Sequence, residues 1–170
     1  MAVNQAIFWF KLPYLFFDVG IAYLLSLLFK DQKRKRLAAG LWLINPVAIY
    51  TSFMMGQFDV VPTMMVVAGL VLIARFGRRE LGVVAIGLGA AYKMYPLLLL
   101  PLVVFYVGKG LVEKLKLFIL GVLPYFLTIL PFLKYPAFQK YCLFSNQSQK
   151  MLSMRINVFG QQEMLVFVVF

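Results

Sequence analysis

The sequence predicts an all-α protein, a polytopic transmembrane helix bundle containing one short broken or re-entrant helix pair. Three observations predict it. Of 170 residues, 63% are hydrophobic and only 14% charged, with histidine absent, which is the composition of a chain whose solvent is lipid. The apolar residues come in long runs without the alternation that barrel strands need, so backbone groups must pair inside helices. Finally, Gly56-Gln57-Phe58-Asp59 and Lys93-Met94-Tyr95-Pro96 interrupt the apolar runs. A charge at membrane depth costs roughly 2.5 to 3.5 kcal/mol, which marks both interruptions as candidate sites.

The elements follow in order. A first span over residues 14–29 ends in Lys30, Lys33, Arg34, Lys35 and Arg36, a basic loop that the positive-inside rule assigns to the cytoplasm. A second span, 37–55, rises to the Gly56-Gln57-Phe58-Asp59 turn and a third, 61–76, returns to Arg75, Arg78 and Arg79. Cations at the base of this hairpin and one acid at its tip turn the tip outward. Residues 81–107 reach about 40 Å as one helix, too long for one untilted crossing and too short for two. Charge counts do not decide between one span and a hairpin, but proline does. Pro96 and Pro101 oppose helix continuation and predict a break at Lys93 to Pro96, with the apex lining a polar cavity below the outer surface.

A further span, 117–133, leads to an outer stretch of mixed polarity, 134–157, whose Tyr135 and Tyr141 fit an interfacial aromatic belt. Residues 1–170 are therefore read as a single transmembrane domain, incomplete at both ends. Residues 2–10 are too short to cross, and the apolar segment after Val158, interrupted by Gln161, Gln162 and Glu163, is unfinished.

Several classes of function are excluded. The net charge of +11 lies in short loops between spans, so topology explains it and nucleic-acid binding does not. Cys142 is the only cysteine, and no Cys/His cluster can hold zinc or a redox centre. No metal and no cofactor are expected. The acids are few: Asp18, Asp31, Asp59, Glu80, Glu113 and Glu163.

Lys93 is the leading site candidate, because an ammonium beside an apolar groove lacks a counter-charge. The alternative is a lysine that snorkels to the headgroups. Tyr95 and Pro96 fix the break and hold Lys93 inward, and Arg155 in the outer stretch is a second candidate cation or else a plain loop cation. Gln57 and Asp59, presented by Gly56, stand at the tip of the outward hairpin as hydrogen-bonding groups. Their alternative is an ordinary turn in which Asp59 caps backbone donors and Pro62 starts a helix. Asp18 is expected to pack between helices, protonated or paired with Lys93 or Lys11. Asn45-Pro46 reads as a kink whose freed carbonyl a neighbouring helix satisfies.

Asn45-Pro46, Ser52, Gly56-Gln57-Phe58-Asp59 and the run Lys93-Met94-Tyr95-Pro96-Leu97-Leu98-Leu99-Leu100-Pro101, in this order, resemble the GT-C membrane glycosyltransferases. The similarity is closest to the polyprenol-phosphate-mannose-dependent mannosyltransferases of glycosyltransferase family 87 and to the catalytic subunit of the first mannosyltransferase of GPI assembly. It covers residues 11–131. It implies an integral multi-pass protein of the plasma membrane, or of the endoplasmic reticulum in a eukaryote. The donor it implies is a polyprenyl-phosphate-linked hexose, mannose by preference, and the acceptor a glycan or glycolipid on the outer or lumenal face, with membrane lipid around them and room for a partner subunit. Transfer in that superfamily inverts the anomeric centre without a covalent intermediate. The family's acidic base lies in its first outer loop, which is expected upstream of Met1. That leaves the catalytic residue of this chain unassigned, Asp59 being only a secondary candidate, and Gln57, Asp59, Lys93, Tyr95 and Arg155 as the substrate-binding set, in which the resemblance implies the donor phosphate on Lys93, a second, bidentate grip on it from Arg155, and sugar hydroxyls or the phosphate-binding cation on Gln57 and Asp59. The rival reading is a fragment of a transporter that binds an anionic solute at the broken helix.

Overall fold

The structure, a computed structural model, describes residues 2–54, 58–138, 155–158 and 161–164. The chain forms two compact units, Met1–Leu127 and Thr128–Phe170.

The described residues of the first unit form helices joined by short turns. Helix α1 (Ala2–Leu27) begins well before the expected first span and carries Pro13 inside it. Helix α2 (Gln32–Leu43) starts inside the basic run, because Asp31 is its N-cap and its Oδ2 accepts the Arg34 N–H at 3.2 Å. Lys33 to Arg36 are thus helical rather than loop. The expected second span, 37–55, is not one helix. Asn45 Oδ1 accepts the Val47 N–H at 2.9 Å, Pro46 takes the first helical position, and a new short helix α3 (Pro46–Ile49) begins there, followed by a π-helical turn at Tyr50–Met54. Asn45-Pro46 is therefore a stop and restart capped by its own side chain, not a kink satisfied by a neighbour.

Helix α4 (Val60–Phe76) closes on Gly77, whose φ of 66° lets the Gly77 and Arg78 N–H groups reach the Ile73 and Leu72 carbonyls at 3.2 and 2.9 Å. Helix α5 (Arg79–Tyr92) then runs back along α4. The two approach closely because both contact points are glycine: a Cβ on Gly69 would lie 2.5 Å from the Gly82 carbonyl oxygen, and one on Gly82 would lie 2.7 Å from that of Gly69. The predicted break falls where expected, since α5 ends at Tyr92 and helix α6 (Pro96–Val107) begins at Pro96. At 1.5 Å per residue α5 reaches about 21 Å and α6 about 18 Å, each short of a hydrocarbon core of ~30 Å.

Helix α7 (Leu111–Ile129) crosses α5 where a Cβ on Gly87 would stand 1.9 Å from the Gly121 carbonyl oxygen, and Leu100 of α6 fills the space over Gly121. Val66, Val83, Ile86, Leu100, Leu117 and Val122 form the core that this crossing encloses, and a second core joins α1 to α4 through Tyr14, Ile21, Val60, Val67 and Val71. Helix α4 belongs to both cores. Among the described residues one segment, Leu111–Phe132, is long and apolar enough to cross a membrane, while Leu12–Leu27, Val60–Phe76 and Pro96–Val107 are shorter apolar helices. Of these, Pro96–Val107 is short because the break at Lys93 to Pro96 divides an apolar run that hydropathy alone would continue.

The second unit holds a 3-10 turn at Leu130–Phe132, the single turn α8 (Pro136–Phe138), and two short antiparallel strands, β1 (Arg155–Val158) and β2 (Gln161–Met164), which pair Arg155 with Met164. The all-α expectation thus holds for the first unit. In the second, two strands depart from it, and alternation of Arg155, Ile156, Asn157 and Val158 sustains the first of them at the end of the stretch of mixed polarity.

Candidate functional site

The antiparallel course of α4 and α5 brings the start of one beside the end of the other, and the two polar interruptions meet there. Asp59 occupies the N-cap position of α4 but has φ −65° and ψ −20° and makes no side-chain cap bond. Its carboxylate turns instead to the Lys93 ammonium, with which it forms an ion pair through Oδ1. The ordinary turn reading, with Asp59 satisfying backbone donors, is therefore not what the structure holds.

Lys93 ends α5 in an extended conformation, φ −149° and ψ 137°, and its N–H still closes the helix on the Gly89 carbonyl at 3.0 Å. Extension after a helix end swings the side chain back across the start of α4. One turn on, Tyr95 is the N-cap residue of α6 and Pro96 is fully buried behind it. The Tyr95 hydroxyl lies 2.7 Å from Thr63 Oγ1, and Thr63 Oγ1 in turn donates to the Asp59 carbonyl at 2.7 Å. Since the threonine proton is used on that carbonyl, Tyr95 is the donor to Thr63. Two cross-links, one ionic and one neutral, thus tie the Lys93 break to the first turn of α4.

The ion pair remains reachable. The Lys93 and Asp59 side chains are 40% and 30% exposed, so a ligand can contact both without opening the fold. Apolar groups surround them: Phe58, stacked on Tyr14 with ring centroids 5.1 Å apart, Tyr92 and Met94 are all exposed. A half-buried cation and anion amid exposed apolar surface suit an amphiphile with a charged, hydroxylated head. The arrangement can neutralise one anionic oxygen through Lys93 and accept hydrogen bonds from hydroxyls through Asp59.

Of the residues expected to form the substrate site, the structure unites Asp59, Lys93 and Tyr95. Gln57 and Gly56 lie outside the described residues, and Arg155 is described only as the first residue of β1. Asp18 does not pair with Lys93. It is 6% exposed in α1, its Oδ1 accepts from Trp42 Nε1 at 3.2 Å, the buried Ser52 lies beside the same carboxyl, and Oδ2 has no hydrogen-bond partner among the described residues. This is the helix-packing role expected of it, with α2 and the π-turn as its neighbours. Thr63 and Trp42 were not singled out in the sequence. Thr63 stands four residues after Asp59 at a helix start, a spacing that brings a hydroxyl back over the preceding carbonyl, and that signal was available.

At the opposite end of the helices a cavity of about 530 Å³ opens between α5 and α7, lined by Arg78, Arg79, Glu80, Glu113 and Lys116 among others. Both acids there are engaged, Glu113 by Arg79 at 2.9 Å and Glu80 by Lys116 at 2.6 Å. These pairs fasten α7 to α5 and leave no free carboxylate in the cavity. It is distinct from the Lys93 site.

The model of glycosyltransferase family 87 matches residues 6–167 of this chain. No curated protein and no solved structure matches it.

Proposed function

Because this chain belongs to glycosyltransferase family 87, we propose that it forms the substrate-binding part of a membrane hexosyltransferase, a mannosyltransferase by preference, that draws its sugar from a polyprenyl phosphate. The observation that carries the reading is the half-buried Lys93–Asp59 ion pair at a helix break, flanked by exposed apolar side chains.

Lys93 takes the donor phosphate. As the bond between the anomeric carbon and the phosphate oxygen breaks, negative charge grows on that oxygen, and an ammonium already fixed beside it stabilises the departing group. The Tyr95–Thr63 brace keeps the lysine from following solvent, so little reorganisation is needed at that moment. Asp59, already engaged by Lys93, orients the ammonium and receives sugar hydroxyls. It is a positioning residue here, and the proton of the acceptor hydroxyl goes to a general base outside this set. The exposed Phe58, Tyr92 and Met94 give the prenyl chain an apolar path away from its head. The positive-inside rule places this end of the helices on the outer or lumenal face, as the basic residues gather at the other end. The chain is then an integral multi-pass protein with a glycan or glycolipid acceptor. The transporter alternative receives no support from the family to which the chain belongs.

The test is transfer from polyprenyl-phosphate-linked mannose in membranes expressing the protein. Lys93→Ala and Asp59→Asn are each expected to abolish transfer with insertion and expression unchanged, and Lys93→Arg to retain part of it. Near-normal transfer by Lys93→Ala would sink the phosphate assignment. Solute uptake by vesicles without consumption of the lipid-linked sugar would favour the transporter instead.

A further inference from the structure

The end of the helices away from Lys93 carries a second feature that the transfer site does not use. Between α6 and α7 lies a groove of about 380 Å³, lined by Pro101, Val104, Phe105, Leu111, Leu115 and Phe118 and closed on one side by Lys114. Apart from that lysine every lining side chain is apolar. Phe105, Leu111 and Leu115 are strongly exposed, so the groove opens outward from the bundle.

Lys114 is set differently from the other cations of α7. Lys116 is paired with Glu80, and Glu113 on the same helix turn is taken by Arg79. The Lys114 ammonium instead sits 5.1 Å above the centre of the Phe105 ring, its stem packed over Gly108, where a Cβ would come within 2.5 Å of Lys114 Cγ. No carboxylate reaches it among the described residues. A cation–π contact holds the ammonium at the rim of the groove without neutralising it. Around it the exposed Arg75, Arg78 and Lys109 make this the cation-rich end of the unit.

An apolar slot with an unneutralised ammonium at its mouth fits one kind of occupant, an amphiphile with an anionic head. We propose that the α6–α7 groove seats an acyl chain of an anionic glycerophospholipid whose phosphate lies against Lys114. Charge complementarity selects the lipid: a neutral acyl chain leaves Lys114 unpaired, and a zwitterionic headgroup brings its own cation to a place already crowded with arginine and lysine. The lipid is drawn from the leaflet that meets the cation-rich end, and it stiffens the α6–α7 contact from outside. The inference rests on the chain lying in a bilayer, as proposed above, and not on the transfer chemistry at Lys93.

The test is native mass spectrometry of the full chain, extracted in mild detergent and equilibrated with equal amounts of phosphatidylglycerol and phosphatidylcholine of identical acyl chains. Phosphatidylglycerol is expected to be retained in preference by about five-fold, the value of one lysine beside an anionic headgroup. Lys114→Gln is expected to bring the ratio close to one, and Phe105→Leu, which keeps the groove apolar but removes the ring that holds the ammonium, to lower it. Lys33→Gln, in α2, should leave the ratio unchanged. Equal retention of the two lipids, no retained lipid at all, or a preference that survives Lys114→Gln in a monodisperse sample would each overturn the proposal. Those outcomes leave the transferase reading standing, because transfer by the same Lys114→Gln protein is read separately.

Discussion

Replacing Gly87 by alanine sets two opposite effects against each other, and the structure says which wins. In a helix interior, glycine to alanine is favourable by about 1 kcal/mol, because alanine has less backbone freedom to lose. At Gly87 the new Cβ would stand 1.9 Å from the Gly121 carbonyl oxygen and 3.1 Å from Pro124 Cδ. Ordinary contact begins near roughly 3.5 Å, so α7 must retreat by more than an ångström at the crossing. Backbone cannot swing aside as a side chain would. The same movement would draw Gly121 away from Leu100, which is fully buried, and loosen Leu117 and Val122. Overpacking of this kind costs about 1 to 3 kcal/mol, and a carbonyl oxygen this close puts Gly87 at the upper end, which exceeds the propensity gain and leaves a net loss of up to about 2 kcal/mol. Gly40 of α2 provides the control: nothing lies within 4 Å of its added Cβ, so Gly40→Ala is expected to gain about 0.5 to 1 kcal/mol. The assay is unfolding in a mild-detergent and dodecyl-sulfate mixture, followed by far-UV circular dichroism. Equal shifts in the same direction for the two substitutions would refute the close crossing of α5 and α7.

Other expectations follow from the same contacts. Gly77→Ala, at φ 66°, should destabilise by about 1 kcal/mol despite the open space around it, measured in the same titration. Trp42→Phe removes the donor to Oδ1 of the buried Asp18 and should cost about 1 to 3 kcal/mol, and adding Asp18→Leu to it should recover much of that loss; a double variant no better than Trp42→Phe would count against the contact. Thr63→Val and Tyr95→Phe should each slow transfer by roughly five-fold, and the double variant should lose less than the product of the two, since both remove the Tyr95–Thr63 hydrogen bond; fully multiplicative losses measured at saturating donor would count against that brace.

What could be read from the sequence was governed by local rules. The helix break at Lys93 was legible because proline removes a donor at Pro96 whatever surrounds it. The pairing of the two polar interruptions at one end followed from the α4–α5 hairpin, whose turn a single glycine announces. Helix lengths were less legible, because hydropathy does not see the Asp31 and Asn45 caps that start α2 and α3 inside runs read as loop and span. Contacts set by three-dimensional packing were not legible at all. Trp42 reaches Asp18 across 24 positions and Tyr95 reaches Thr63 across 32, and no spacing rule connects residues so far apart.

The choice of partner for Asp59 carries the most chemical meaning. An aspartate at a helix start ordinarily caps its own backbone, and that local bond is available at no cost in loop entropy. Here the carboxylate forgoes it for a lysine 34 positions away, so the first N–H groups of α4 give up a cap and the protein gains a fixed ammonium at a helix break. Stability alone gives little reason for the exchange, because an ion pair whose side chains are 40% and 30% exposed contributes little once water screens it. What the exchange does secure is position. A lysine tied at its tip by Asp59, and at its base by the extended turn that Tyr95 and Thr63 hold, has few rotamers left to lose when an anion arrives. In the proposed transfer, the donor phosphate would meet an ammonium already placed and a carboxylate able to turn from it toward sugar hydroxyls, which is the pre-organisation that charge stabilisation in a leaving group requires.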